Sequence, residues 1–108
     1  MTQVPAAVMV FNTCPDEATA RRIATALVDE GLAACVNVLP GLTSVYRWHG
    51  KTETASEWLL LIKCRHAAYE PLERRLRALH PYELPEIIAV PVATGEAAYL
   101  AWLNNPEK

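Results

Sequence analysis

The chain has 108 residues, 52% of them hydrophobic, with three Trp, four Tyr and a net charge of −2. That length is one domain's worth, 1–108, and the slight acidity argues against a nucleic-acid partner, for which a basic face is expected. So apolar a chain at this size has either an unusually apolar core or apolar surface to bury against another subunit, and the aromatic content favours an oligomer.

Cys14, Cys35 and Cys64 are odd in number and lack a Cys-x-x-Cys pair, which fits neither a disulfide framework nor a zinc finger. No stretch reaches the roughly 18 apolar residues of a membrane span, and Met1-Thr2-Gln3-Val4-Pro5 lacks signal-peptide character. A reducing, cytoplasmic setting without membrane or nucleic-acid partners is expected. Arg21-Arg22 and the Arg74, Arg75 and Arg77 cluster lie on helices with acidic neighbours and read as solvated faces.

Ala7–Phe11 is a short apolar run that stops at Asn12-Thr13-Cys14-Pro15, the pattern of a central strand buried on both faces. Asp16 is placed as a helix N-cap. Ala20, Ile23, Ala24, Leu27 and Val28 follow at one-face spacing, and Gly31 ends the helix. Ala33–Leu39 and Leu42–Trp48 read as one strand bent at Pro40-Gly41, which suits a bulge on an edge strand. After a turn at His49-Gly50-Lys51 the chain returns from Thr52 to Cys64, giving a hairpin much longer than usual.

Tyr69, Leu72, Leu76 and Leu79 mark a second helix, with Pro71 in its first turn and Glu70–Arg74 and Glu73–Arg77 as supporting pairs. Two prolines four apart then stiffen His80-Pro81-Tyr82-Glu83-Leu84-Pro85-Glu86 at a helix-to-strand junction, where binding groups often gather. Glu86–Val92 is the last strand, and a short helix carries Tyr99, Leu100, Trp102 and Leu103. The order is β-α-β-β-α-β plus a helix: an α+β, ferredoxin-like sandwich with a long central hairpin. In that topology Cys14, the Trp48–Lys51 turn and His80–Glu83 share one end of the domain.

With those residues placed, the chain resembles the CutA family, the divalent-cation tolerance proteins. The matching segments are Leu32–Gly41, Ser44–Trp48 with Gly50-Lys51, Glu57 with Leu61-Ile62-Lys63, His80–Glu83 with Pro85–Ile88, and Tyr99–Leu103. The resemblance implies a ferredoxin-like homotrimer whose hairpins pair across subunits, and binding of divalent metal ions, chiefly copper, in metal tolerance. Pairing would also close the hairpin's edges and shelter Tyr46, Trp48 and Trp58.

For copper, Cys14 and His80 are the candidate ligands, since thiolate and imidazole suit that ion. Glu83 or Glu86 could join them. Some bacterial members carry the cysteine about where Asn12 stands and paired histidines before the proline, where this chain has Leu79-His80. The competing reading makes Cys14 a small strand-end residue and His80 a helix cap. His49 and His66, near turns, read as solvated.

Trp48, Lys63, Tyr82, Glu83 and Glu86 are the candidates for lining an inter-subunit cleft. Tyr82, Lys63, Glu57 and Glu86 would be the parts of an enzyme if they converged, although a buried Lys63–Glu86 pair is the simpler expectation. No phosphate-cradling glycine loop or nucleophile elbow occurs, and no catalytic activity is assigned. The alternative to metal tolerance is a trimeric ligand-sensing or interaction module akin to nitrogen-regulatory signal-transduction proteins. RNA binding on the sheet is disfavoured by the acidic charge and the lack of an RNP motif.

Overall fold

A computed structural model describes residues 6–106. Met1-Thr2-Gln3-Val4-Pro5, read above for signal character, and the outer limits of the 1–108 domain lie outside the described residues. The elements are β1 (Ala7–Cys14), α1 (Glu17–Asp29), β2 (Cys35–Trp48), β3 (Lys51–Arg65), α2 (Tyr69–Leu79), β4 (Ile88–Pro91) and α3 (Ala97–Asn104), with a 3-10 turn at His66–Ala68 leading into α2. The four strands are ordered β2-β3-β1-β4, and every neighbouring pair is antiparallel. This is the expected ferredoxin-like arrangement, with β1 and β3 central and β2 on an edge.

Side chains alternate across a strand, so each strand divides its residues between two faces. Val8, Val10 and Cys14 of β1 and Leu60, Ile62 and Cys64 of β3 are buried with Ile23 and Leu27 of α1 and Leu72 and Leu76 of α2, forming the core. Asp16 caps α1 by accepting from the Thr19 N–H at 2.8 Å, and Gly31 follows the last turn at φ 73°. Both end signals sit where the sequence puts them. Val28, expected on the buried face, is 41% exposed. The helix-supporting pairs also differ from expectation: Glu73 accepts from the Tyr69 hydroxyl at 2.8 Å, and Arg75 crosses to Glu30, the residue that caps the end of α1.

Each strand's limits differ from the sequence reading, β3 only by one residue at each end (Lys51–Arg65), and the difference at β1 creates the site. β1 runs through Asn12 and Thr13 to Cys14 because the ladder to β3 continues as Asn12↔Leu60, Thr13↔Leu59 and Cys14↔Trp58. Asn12 and Cys14, two apart, therefore point the same way, into the interior. β2 begins at Cys35 rather than Ala33, since the Ala33 N–H bonds back to the Leu27 carbonyl of α1. β4 shrinks to Ile88–Pro91: the Glu86 carbonyl is taken by a side chain, and beyond Pro91, which offers no ladder donor, only the Val92 N–H still reaches β1, at the Ala7 carbonyl.

The hairpin arms are 14 and 15 residues long. The register shifts between Leu39 and Leu42, with Gly41 at φ 80°, which is the bulge that Pro40-Gly41 implies. At the tip, Trp48 pairs with Lys51 across His49 and Gly50, both with positive φ, as a two-residue primed turn requires. Cys14 is level with Trp58, so the tip at Lys51 lies seven residues further on, about 23 Å at a strand's rise. The three segments expected at one end are thus together only in part, because the hairpin overshoots the domain.

Candidate functional site

His80 ends α2, and its own N–H bonds the Leu76 carbonyl, so the helix turns off there into extended backbone before Pro81. The residue is 8% exposed, and its ring points at the end of β1. Nε2 stands 2.8 Å from the Thr13 carbonyl and Nδ1 3.1 Å from the Tyr82 backbone nitrogen. A carbonyl can only accept and an N–H can only donate, so Nε2 carries the proton and Nδ1 is the acceptor. Both ring nitrogens are committed to backbone, and the ring lies 4.7 Å from that of Tyr82. The side chain is neither the helix-carbonyl cap nor the free nitrogen that the sequence suggests. It is a clasp between β1 and the proline-flanked segment.

Cys14 is fully buried beside it, Sγ lying 3.9 Å from His80 Nε2. Its thiol donates to Asn12 Oδ1 at 3.4 Å, and Asn12 Nδ2 donates to the Glu86 carbonyl at 2.8 Å. One buried amide thereby links the cysteine to the far end of the same segment. Asn12 and Thr13 are the residues that sequence reasoning passed over. A polar residue in phase with Val8, Val10 and Cys14 on a buried strand face was the available signal, because such a group needs a partner.

Electrostatics follow from burial. Desolvation pushes the Cys14 thiol up to about 12, with the Glu57 and Asp16 charges adding to it. The His80 imidazole is held below its usual range, chiefly by burial, although its bond to Thr13 and the Glu57 charge oppose the shift. The pair is therefore a neutral thiol and a neutral imidazole. A metal ion would have to remove the thiol proton and break at least one ring hydrogen bond. Among the described residues no three His, Cys, Asp or Glu side chains gather where they could hold an ion. Cys14 and His80 come together as expected, yet in this arrangement they do not fit a copper centre.

Outside this clasp lies an open cleft of about 820 Å³, walled by Ser44–Trp48 of β2, by Thr13 and Glu57, and by Pro81–Glu86. Trp48, Tyr82, Glu83 and Glu86, expected at a cleft between subunits, all line this cleft within one chain. Tyr82 donates its hydroxyl to Glu57 Oε2 at 2.7 Å, and burial together with that carboxylate lifts the phenol above its ordinary range. Lys63 is the candidate that moves. It pairs with Met9 and Cys35 near the other end of the sheet, and its Nζ lies 3.5 Å from the Tyr99 hydroxyl of α3. Strand register keeps it six residues from Glu57, so neither the Lys63–Glu86 pair nor a converging catalytic set forms. His49 and His66 are exposed at the hairpin tip and before α2.

Comparison with known proteins matches residues 8–106 to the family described as CutA1 divalent ion tolerance protein. A Thermus thermophilus protein named "Divalent-cation tolerance protein CutA" is 54% identical over 97 residues, 90% of this chain and 94% of that relative. The chloroplastic protein CutA of Arabidopsis thaliana is 45% identical over 91% of this chain, which spans only 54% of that longer protein. A solved structure of the divalent cation tolerance protein from Thermus thermophilus superposes with a TM-score of 0.89 at 52% identity, covering 91% of this chain and 95% of the other.

Proposed function

Because the chain belongs to the CutA1 divalent ion tolerance family, we propose that it serves tolerance to divalent cations as a homotrimeric, non-catalytic binding protein in a reducing, cytoplasmic setting. The observation that carries this reading is the overlong hairpin. Val45, Tyr46 and Trp48 are 66%, 45% and 41% exposed on it, and Ile88 and Val90 are exposed on the opposite edge strand. Free sheet edges carrying large apolar side chains call for pairing with further copies. Three free cysteines agree with a reducing compartment. Among the described residues no helix is long and apolar enough to cross a membrane.

A cation site then needs ligands from more than one copy, since the described residues of one chain do not gather three. The exposed carboxylates of Glu83 and Glu86, on the stiff segment at the cleft, are the oxygen ligands this chain contributes, and copper is the chief ion only because Cu²⁺ stands highest among the first-row divalent ions in affinity for a given donor set. Cys14 and His80 hold that segment in place from within. Two measurements test the reading. Sedimentation equilibrium should return three times the chain mass, and the mass of a single chain would reject the assembly. Calorimetric titration with Cu²⁺ should give saturable binding that Cys14→Ser preserves and Glu83→Gln/Glu86→Gln weakens about tenfold or more. Loss of binding in Cys14→Ser with no change in the double variant would reverse the assignment.

A further inference from the structure

Between His80 and the first rung of β4, Phe11↔Ile88, the chain runs without regular structure. Among the described residues no backbone–backbone hydrogen bond involves residues 81–87. Side chains hold this stretch instead, at three points. His80 Nδ1 accepts from the Tyr82 N–H at 3.1 Å, the Tyr82 hydroxyl donates to Glu57 Oε2 at 2.7 Å, and Asn12 Nδ2 donates to the Glu86 carbonyl at 2.8 Å. Pro81, Glu83, Leu84 and Glu86 are exposed, so apolar burial adds little to these bonds. A segment with few buried apolar contacts, held by a handful of bonds, opens at a lower free energy than the core beneath it.

Its ends are fixed. His80 closes α2, and Ile87 packs against the core. Pro81 and Pro85 fix two φ angles between them, which stiffens the stretch so that it moves as one body. Beneath it lies the Cys14 thiol, fully buried and in contact with two of the three holding side chains. Its Sγ donates to Asn12 Oδ1 at 3.4 Å and stands 3.9 Å from His80 Nε2. Breaking the three bonds therefore uncovers this thiol while the sheet and helices stay packed. We infer that residues 81–86 are a strap, latched by His80, Glu57 and Asn12, that opens as a unit ahead of global unfolding and controls access to the Cys14 thiol. Shut, it keeps the thiol inert; open, it admits a small thiol-directed reagent.

This goes beyond the divalent-cation reading. The latches are bonds within one chain and do not depend on which side chains ligate a cation, so the two can fail separately. The test uses the full-length assembled protein near neutral pH, without added metal. Amide hydrogen exchange by NMR gives the protection of the residue 82 N–H and of the Leu60 and Ile62 N–H groups in the centre of the sheet. Alkylation by iodoacetamide, read by peptide mass spectrometry against denatured protein, gives the protection of Cys14 separately from Cys35 and Cys64. The residue 82 N–H and the Cys14 thiol should share one protection factor, at least about tenfold below that of Leu60 and Ile62. Tyr82→Phe removes one latch and should lower both shared values by about tenfold. Unchanged protection at Leu60 and Ile62 verifies that the variant is folded.

Cys14 protected as strongly as Leu60 and Ile62 would overturn the inference, since the thiol would then be reached only through global unfolding. So would unequal protection of Cys14 and the residue 82 N–H, which would mean separate openings. A Tyr82→Phe protein in which neither changes, or in which the Leu60 and Ile62 amides change by the same factor, would overturn it as well.

Discussion

Replacing His80 by alanine should lower the unfolding free energy by about 3 kcal/mol. The change strands the Thr13 carbonyl and the Tyr82 N–H and leaves a ring-sized void, and each buried unpaired group costs roughly 1–3 kcal/mol before any relaxation. The same variant should lose an acid-side dependence of stability. His80 is held below its unfolded value of 6.5, so the unfolded chain takes up this proton first as pH falls. Unfolding stability therefore declines as pH drops below about 6.5 and goes on declining until the folded-state value is passed. Urea denaturation at a series of pH values checks both effects. A His80→Ala protein as stable as its parent at pH 7, with the same slope below 6.5, would contradict the clasp.

Asn12→Asp is isosteric and should be worse than its size suggests, at about 3–5 kcal/mol near pH 7. The Asn12 amide donates to the Glu86 carbonyl at 2.8 Å, whereas an ionised carboxylate cannot donate and would face a carbonyl oxygen while fully buried. An uncompensated buried charge carries a penalty of that order. The sign of its pH dependence is opposite to that of His80. The introduced carboxyl has a raised value in the folded state, so the penalty is absent below its unfolded value of about 3.9 and grows as pH rises through the window above it. Thermal melts at about pH 4.5 and 7.5, one near the foot of that window and one well above it, check this. A variant equally stable relative to its parent at both would show that Asn12 is not buried against Glu86. Because Glu86 lines the cleft, the destabilised variant should also bind cations more weakly.

Much of the fold was legible because its signals are local. Asp16 and Gly31 bracket α1, Pro40-Gly41 marks the bulge, and the tip turn needs positive φ at His49 and Gly50. Alternation was harder to follow where polar residues continue a buried strand. Asn12 and Thr13 look like a loop by composition, yet β3 gives them ladder partners and His80 and Glu86 give them side-chain and carbonyl partners. That meeting joins residues 66 to 74 apart in sequence and has no local signature.

Lys63 went the other way. An isolated lysine in an apolar strand suggests a buried functional amine, but register sets it opposite Met9 and Cys35, away from Glu86, and α3 brings Tyr99 beside it. The proximity of Cys14 to His80 was foreseen from topology, while its chemistry was not. Which hydrogen bonds occupy a side chain decides whether it can ligate, and those bonds come from tertiary contacts. Tyr82 and Glu57 illustrate the same point, since both were candidates and only the fold brings them to 2.7 Å.

His80 is bonded at both ring nitrogens, and in that arrangement it holds the cleft wall and has no nitrogen free for a metal. Nitrogen-15 NMR of the imidazole at neutral pH tests it directly, with and without stoichiometric Zn²⁺ as a diamagnetic divalent ion. A single neutral tautomer protonated at Nε2, unchanged when zinc is added, is the expected result. Loss of the Nε2 proton, or a metal-dependent shift of either ring nitrogen, would contradict it.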